Sequence, residues 1–121
     1  MLRTGQQYLD SIRDGRVIYI GDERVDDATE HPAFRDIAHT YAELYDLKAA
    51  PENRDLMSYE EDGERYSIYY LRPRSKEDLE RRTRAHTFIT RWSHGLLGRS
   101  PDAVAGNITG ITMKPEILET D

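Results

Sequence analysis

Gly98-Arg99-Ser100-Pro101-Asp102 is the stretch of this sequence whose residue types could recognise an anion or a phenol. Serine followed by proline signals a helix start. The serine hydroxyl can accept an early backbone N–H, and proline's fixed φ suits the first helical position. A glycine just before them ends the preceding helix. Such a corner leaves backbone N–H groups unpaired at the new N-terminus, where the helix macrodipole adds partial positive charge. Arg99 contributes a permanent cation with a planar fork of donors. Together these groups could hold a phenolate, a carboxylate or a phenol hydroxyl. The same residues also fit a plain capped corner with a solvated arginine, and on residue types alone both readings stand.

The other chemistry-bearing residues point to structure. His31, His39, His86 and His94 include no pair at the tight spacing of a helical zinc site. Glu60-Glu61-Asp62 lacks the alternating ligands of a calcium loop and, with Gly63 next, reads as a solvated hairpin tip. Arg81, Arg82 and Arg84 each follow an acid by four residues (Glu77, Asp78 and Glu80), which is ordinary helix stabilisation. No phosphate-cradling glycine motif and no nucleophile elbow is present. The absence of cysteine excludes disulfides, thiol nucleophiles and cysteine-held metal clusters within these residues. A net charge of -6 disfavours nucleic acid as a partner. A mean hydropathy of -0.80, with 33% charged residues, predicts a soluble, cytoplasmic surface. No apolar run is long enough to span a membrane, and Met1 to Gly5 has no apolar signal core.

The elements that must carry these residues are predicted as helices and two small hairpins. Thr4 and Gln7 have capping-box spacing, and Gly15 is a stop, so Tyr8, Leu9 and Ile12 share one face of a short helix. Arg16 to Ile20 reads as a strand, Gly21-Asp22 as a turn and Glu23 to Val25 as the return. His31-Pro32 is expected to start a helix that buries Phe34, Ile37, Ala38, Tyr41 and Tyr45 and ends before Pro51. Pro51 to Leu56 suits a short helical turn. Tyr59 to Leu71 forms the second hairpin around Asp62-Gly63, a type I′ pair. Ser75 and Asp78 cap the longest helix. Its buried stripe is expected to be Leu79, Ala85, Phe88, Ile89, Trp92 and Leu96, with Gly98 at its end. The last helix should turn Val104, Ile108 and Ile111 inward.

An ordered series of short motifs runs through these elements. It comprises Thr4-Gly5-x-x-Tyr8-Leu9, Ile18 to Val25, His31 to Arg35, Leu44 to Leu47, Tyr59 to Gly63, Pro73 to Leu79 and Gly98 to Asp102. Each is weak alone. In this order and at these separations they resemble the N-terminal region of the 4-hydroxyphenylacetate 3-monooxygenase oxygenase family, over nearly the whole chain.

The resemblance implies a mainly α fold with two small β-hairpins, the helical N-terminal domain of an acyl-CoA-dehydrogenase-like flavin monooxygenase. Residues 1–121 would be that domain, with a middle β-barrel and a C-terminal helical bundle absent. The family takes reduced FAD from a separate flavin reductase and hydroxylates a phenol ortho to its hydroxyl with O2, commonly as a homo-oligomer. No FAD binding is expected of this chain alone. The substrate-binding residues carry over to Arg99, Ser100, Pro101, Asp102 and Ala103. Where the best-known branch has a substrate-contacting tyrosine, this sequence has Ala103, which points to a different phenol. No residue of the chain is assigned a catalytic role. The alternative is a stand-alone helical binding or regulatory protein that keeps the scaffold without catalysis.

Overall fold

A computed structural model describes residues 2–97 and 102–119, with the side chain of Asp102 excepted. The chain divides into two compact units, Leu2–Asn53 and Arg54 onward.

In the first unit, α1 (Gly5–Ile12) begins at the predicted capping box. Thr4 Oγ1 accepts the Gln7 N–H at 3.3 Å, and Gln7 Oε1 accepts the Thr4 N–H at 2.9 Å. Gly15, at φ +79°, turns the chain after the helix. Strand β1 (Ile18–Ile20) pairs antiparallel with β2 (Glu23–Val25) in the register Ile18–Val25, Tyr19–Arg24 and Ile20–Glu23. The strand expected from Arg16 starts two residues later. Arg16 is held by Asp14, which accepts both its backbone N–H and its guanidinium.

Helix α2 (Arg35–Ala49) also starts later than His31-Pro32 suggests. The His31 ring accepts the Ala33 N–H, and its carbonyl accepts those of Phe34 and Arg35, so a separate turn precedes the helix. Leu9, Ala38 and Ala42 form a buried cluster with Tyr8 and Ile12 packed on it. Ile37, expected inside, is exposed, while Ala42 and Leu44 are buried. The face follows the small residues that let α1 approach α2 closely. Tyr8 stacks on Tyr45 with ring centroids 5.0 Å apart and meets Tyr41 edge-on at 6.2 Å. A single 3-10 turn, Pro51–Asn53, closes the unit, with the Asn53 amide donating to the Leu47 carbonyl.

In the second unit, α3 (Arg54–Met57) leads straight into β3 (Ser58–Glu61), which pairs with β4 (Glu64–Ser67). Partners run from Ser58–Ser67 to Glu61–Glu64. Asp62 (φ +53°) and Gly63 (φ +76°) form the two-residue turn, the positive φ pair that a type I′ hairpin requires. The hairpin is shorter than Tyr59 to Leu71. After Ser67 the chain tightens into a 3-10 turn, Ile68–Tyr70, that packs against α4 (Lys76–Trp92) and α5 (Asp102–Thr112). The predicted cap of α4 is present. Ser75 Oγ accepts the Asp78 N–H at 3.1 Å, and Asp78 accepts the N–H groups of Arg74 and Ser75 at 2.9 and 3.1 Å.

Three predicted features of the later helices are corrected. Helix α4 ends at Trp92, before Gly98. The N–H of Gly95 reaches the Thr90 carbonyl at 2.8 Å and that of His94 reaches Arg91 at 3.2 Å, a Schellman closure with His94 at φ +50°. Past that reversal the helical period no longer applies, so Leu97 is buried and Leu96 lies outside; Leu79, near the other end, is also exposed. Phe88 and Trp92 are half-buried, leaving Ala85 and Ile89 as the buried face of α4. On α5 the expected inward residues Val104, Ile108 and Ile111 are exposed, and Ala105 and Thr109 are buried. Small side chains permit the close approach. Thr109 Oγ1 donates to the Ala105 carbonyl at 2.8 Å and reaches the Tyr69 carbonyl at 3.5 Å.

The cap of α4 yields the first testable expectation. Ser75→Ala should cost ~1 kcal/mol at neutral pH. The backbone N–H of Arg74, with further bonds at Ser75, holds the Asp78 carboxyl below its ordinary 3.8. A depressed folded-state pKa contributes stability that is complete above the unfolded value and lost as pH falls below it and through the folded-state value. Urea midpoints followed by Trp92 fluorescence should therefore drop below about pH 4, and Asp78→Asn should flatten that drop. A wild-type midpoint that stays constant into acid would count against the cap.

Candidate functional site

Of the corner expected to bind substrate, Gly98, Arg99, Ser100 and Pro101 lie outside the described residues, as does the Asp102 side chain. The described flanks define its setting. The Schellman reversal after α4 is followed by Leu97, whose N–H donates to Ser93 Oγ at 3.1 Å. Helix α5 is described from Asp102 onward. Ala103 sits half-buried in the first turn of α5.

The second unit also carries an aromatic wall that motif reading missed. Tyr59 and Tyr66 face each other across the hairpin, ring centroids 5.7 Å apart, and the Tyr59 hydroxyl donates to the Tyr70 carbonyl at 3.2 Å. Burial, with Glu61 and Tyr66 adding to it, raises the Tyr59 pKa above its ordinary value. With Arg72, Ile108 and Thr112 these rings line an open cleft of about 620 Å³. A second cleft, about 360 Å³, shares Tyr59, Glu61 and Arg72 and adds Arg74, Asp78 and Arg81. The signal was present as the tyrosine-rich flank of the second hairpin, but tyrosines there read equally as strand residues. Behind the wall, Tyr69 and His86 are hydrogen bonded at 2.9 Å.

In the first unit, Tyr8, Ile12, Phe34, Ile37, Ala38 and Tyr41 line an apolar cleft of about 210 Å³. Among the described residues no helix is long and apolar enough to cross a membrane, and no group of three His, Cys, Asp or Glu is placed to hold a metal ion. Among the described residues the positive-φ glycines are Gly15 after α1, Gly21 and Gly63 in hairpin turns and Gly95 at the end of α4. None opens a helix N-terminus as a phosphate cradle does.

This arrangement, helices with two short antiparallel hairpins, matches the N-terminal part of solved oxygenases of acyl-CoA-dehydrogenase-like fold. The solved oxygenase component of 4-hydroxyphenylacetate 3-monooxygenase matches with TM-score 0.84 and 37% identity, over 90% of this chain and 23% of that one. The same oxygenase complexed with FAD and 4-hydroxyphenylacetate matches with TM-score 0.78 and 40% identity, over 84% of this chain and 22% of that one. The chain belongs to the family described as 4-hydroxyphenylacetate 3-hydroxylase N terminal, which it matches over residues 4–121.

Two curated relatives place it further. It is 45% identical over 103 residues to the oxygenase component of the Rhodococcus opacus 4-nitrophenol 4-monooxygenase/4-nitrocatechol 2-monooxygenase, covering 84% of this chain and 20% of that protein. It is 43% identical over 104 residues to the 4-hydroxyphenylacetate 3-monooxygenase oxygenase component of Thermus thermophilus, covering 84% of this chain and 21% of that protein. The chain thus spans about a fifth of the length of these relatives.

Proposed function

We propose that this chain is the N-terminal, substrate-recognising part of a reduced-FAD-dependent oxygenase that hydroxylates a phenol ortho to its hydroxyl with O2. The whole enzyme would add a middle β-barrel and a C-terminal helical bundle, and act in the cytoplasm as a homo-oligomer served by a separate flavin reductase. The observation that carries this reading is the family match over residues 4–121, which takes in the Arg99 corner and α5. Relatives named for 4-nitrophenol, 4-hydroxyphenylacetate and 2,4,6-trichlorophenol share a phenol as the common feature.

When bound, reduced flavin supplies the oxygen chemistry. The contribution of this chain is placement. Arg99 would hold the polar end of the phenol, and the N–H groups opening α5 would add partial positive charge beside it. Ala103 would leave room where a bulkier residue would crowd the ring. Orienting a substrate is itself a large part of a rate enhancement.

The native gene product tests the reading first. An intact mass well above 14.1 kDa, with oxygenase activity, is expected, whereas a folded product of 14.1 kDa would favour a stand-alone binding protein. In the active enzyme, Arg99→Lys keeps the charge but loses the fork. Catechol formed per flavin oxidised should fall roughly tenfold or more, equivalent to ~1.4 kcal/mol of transition-state stabilisation. Reduced-flavin binding should change little. Ala103→Tyr should shift preference toward 4-hydroxyphenylacetate. Unchanged turnover and coupling across several phenols would remove Arg99 from the site.

A further inference from the structure

We propose that Arg82 is a specificity-determining residue. Its guanidinium, laid against α5 at Gly106, sets a cation beside the space at Ala103 and selects phenols bound in their ionised form. The inference rests on the reading of α5 as a substrate-facing helix and adds a residue of α4 to it.

The spacing of Asp78 and Arg82 suggests an ion pair along α4, but the structure contains none. The Asp78 carboxylate is turned back to the cap, where it accepts the N–H groups of Arg74 and Ser75. Among the described residues the Arg82 guanidinium has no hydrogen bond and no ion pair, although Arg82 is half-buried. What it touches is α5. A Cβ added to Gly106 would stand 2.9 Å from Nη2 of Arg82. Glycine is therefore what lets the guanidinium lie against the helix backbone. Ala103 is three residues earlier, and positions at that spacing share a helix face about 5–6 Å apart. Alanine leaves space there, and Arg82 borders it with charge.

The surrounding charges leave that cation in place. Asp78, one turn before Arg82 on α4, is engaged by the cap, and His86, one turn after it, is bonded to Tyr69 of the 68–70 turn. Helix α5 carries no titratable side chain from Ala103 to Thr112. None of these groups is bonded to the guanidinium. Arginine also stays charged at every working pH, and its fork offers several donors to one oxygen anion. A nearby cation favours the charged form of an acid. A phenol that ionises near neutral pH meets this cation already as an anion, whereas a less acidic phenol must first give up a proton at a cost.

The test binds 4-nitrophenol to the native gene product. The anion of this phenol absorbs visible light and its neutral form does not, so a pH titration of the bound molecule reads its ionisation without turnover. In the wild type the bound phenol should ionise at lower pH than in solution. Arg82→Gln should raise its apparent pKa by about one unit, a tenfold change in the ionisation equilibrium. Arg82→Lys should fall between, keeping the charge without the fork. Gly106→Ala should act like Arg82→Gln, because the new methyl displaces the guanidinium. Alanine is also the better helix former, so thermal stability should hold or rise. A residue with only a packing role would not give that combination. Arg84→Gln, which removes an equal charge from an exposed position of α4, should leave the pKa unchanged. In turnover, Arg82→Gln should raise KM for 4-nitrophenol about tenfold and change that for the less acidic 4-ethylphenol little. No binding of 4-nitrophenol, a bound pKa at or above the solution value, or equal values in wild type and Arg82→Gln would overturn the proposal. A native product that binds and ionises 4-nitrophenol through Arg82 but hydroxylates no phenol would support this role and sink the oxygenase reading.

Discussion

Replacing Ile89 with alanine is expected to cost about 2–5 kcal/mol, the range for truncating a fully buried branched side chain where the surroundings cannot collapse. Ile89 has no exposed surface and lies one helical turn after Ala85, which has none either. These two positions are the whole buried face of α4, so the lost volume cannot be filled from a neighbouring large residue on the same helix. Trp92 is the natural comparison. Its size suggests the main anchor, but it is only half-buried. Trp92→Ala should therefore cost less than the ~3–5 kcal/mol of a fully enclosed tryptophan. Urea denaturation settles the order, with fluorescence for the Ile89 variant and far-ultraviolet circular dichroism for both. A larger loss from Trp92→Ala than from Ile89→Ala would place the core on the wrong face of α4.

Gly5→Ala should destabilise the first unit by about 1–3 kcal/mol, the usual penalty for forcing atoms into a filled space. The direction runs against helix propensity, which favours alanine over glycine by ~0.8–1.0 kcal/mol. Space decides the sign. A Cβ on Gly5 would overlap the Ala42 carbonyl oxygen and lie 2.6 Å from the Asp46 carboxylate. The obstacle is backbone, which cannot rotate away. The Gly5 N–H also donates to Asp46 Oδ1 at 2.7 Å, a charge-assisted bond at the opening of α1 that any displacement would break. Amide exchange of α1 measures the effect directly. Unchanged or greater protection in the variant would show that the two helices do not meet as closely as described.

How far the sequence could be read depended on the range of the forces involved. Both capping boxes and the Asp62-Gly63 turn are set within four residues, and each was legible at its own position. The resemblance added the fold, because an ordered set of weak motifs constrains more than any one of them. Burial faces were read less well, since they depend on partners distant in sequence. The apolar period of α5 pointed to Val104, Ile108 and Ile111, whereas contact with the 68–70 turn selects Ala105 and Thr109. Hydropathy ranks side chains by size and oiliness, and close backbone approach ranks them the other way. Lys48 illustrates the same limit. It is buried, with its ammonium 5.2 Å from the Tyr45 ring centroid, although a charge near a helix end suggests solvent. Of the candidate site, the presence of α5 was legible, but the Arg72 clefts were not, because they join residues from four separate stretches of chain.

The reversal at His94 has a consequence for how this chain tolerates change. Position 94 is exposed, and surface positions usually accept most residues. Here the backbone sits at φ +50° to let the chain fold back after α4. Glycine needs no side-chain clearance at that angle, and asparagine, aspartate and histidine are the residues that otherwise tolerate it. A valine or isoleucine would have to unwind the end of the helix or bear the strain. In a library of variants, position 94 should therefore be filtered as strictly as an interior one, and a map of solvent exposure would misjudge it.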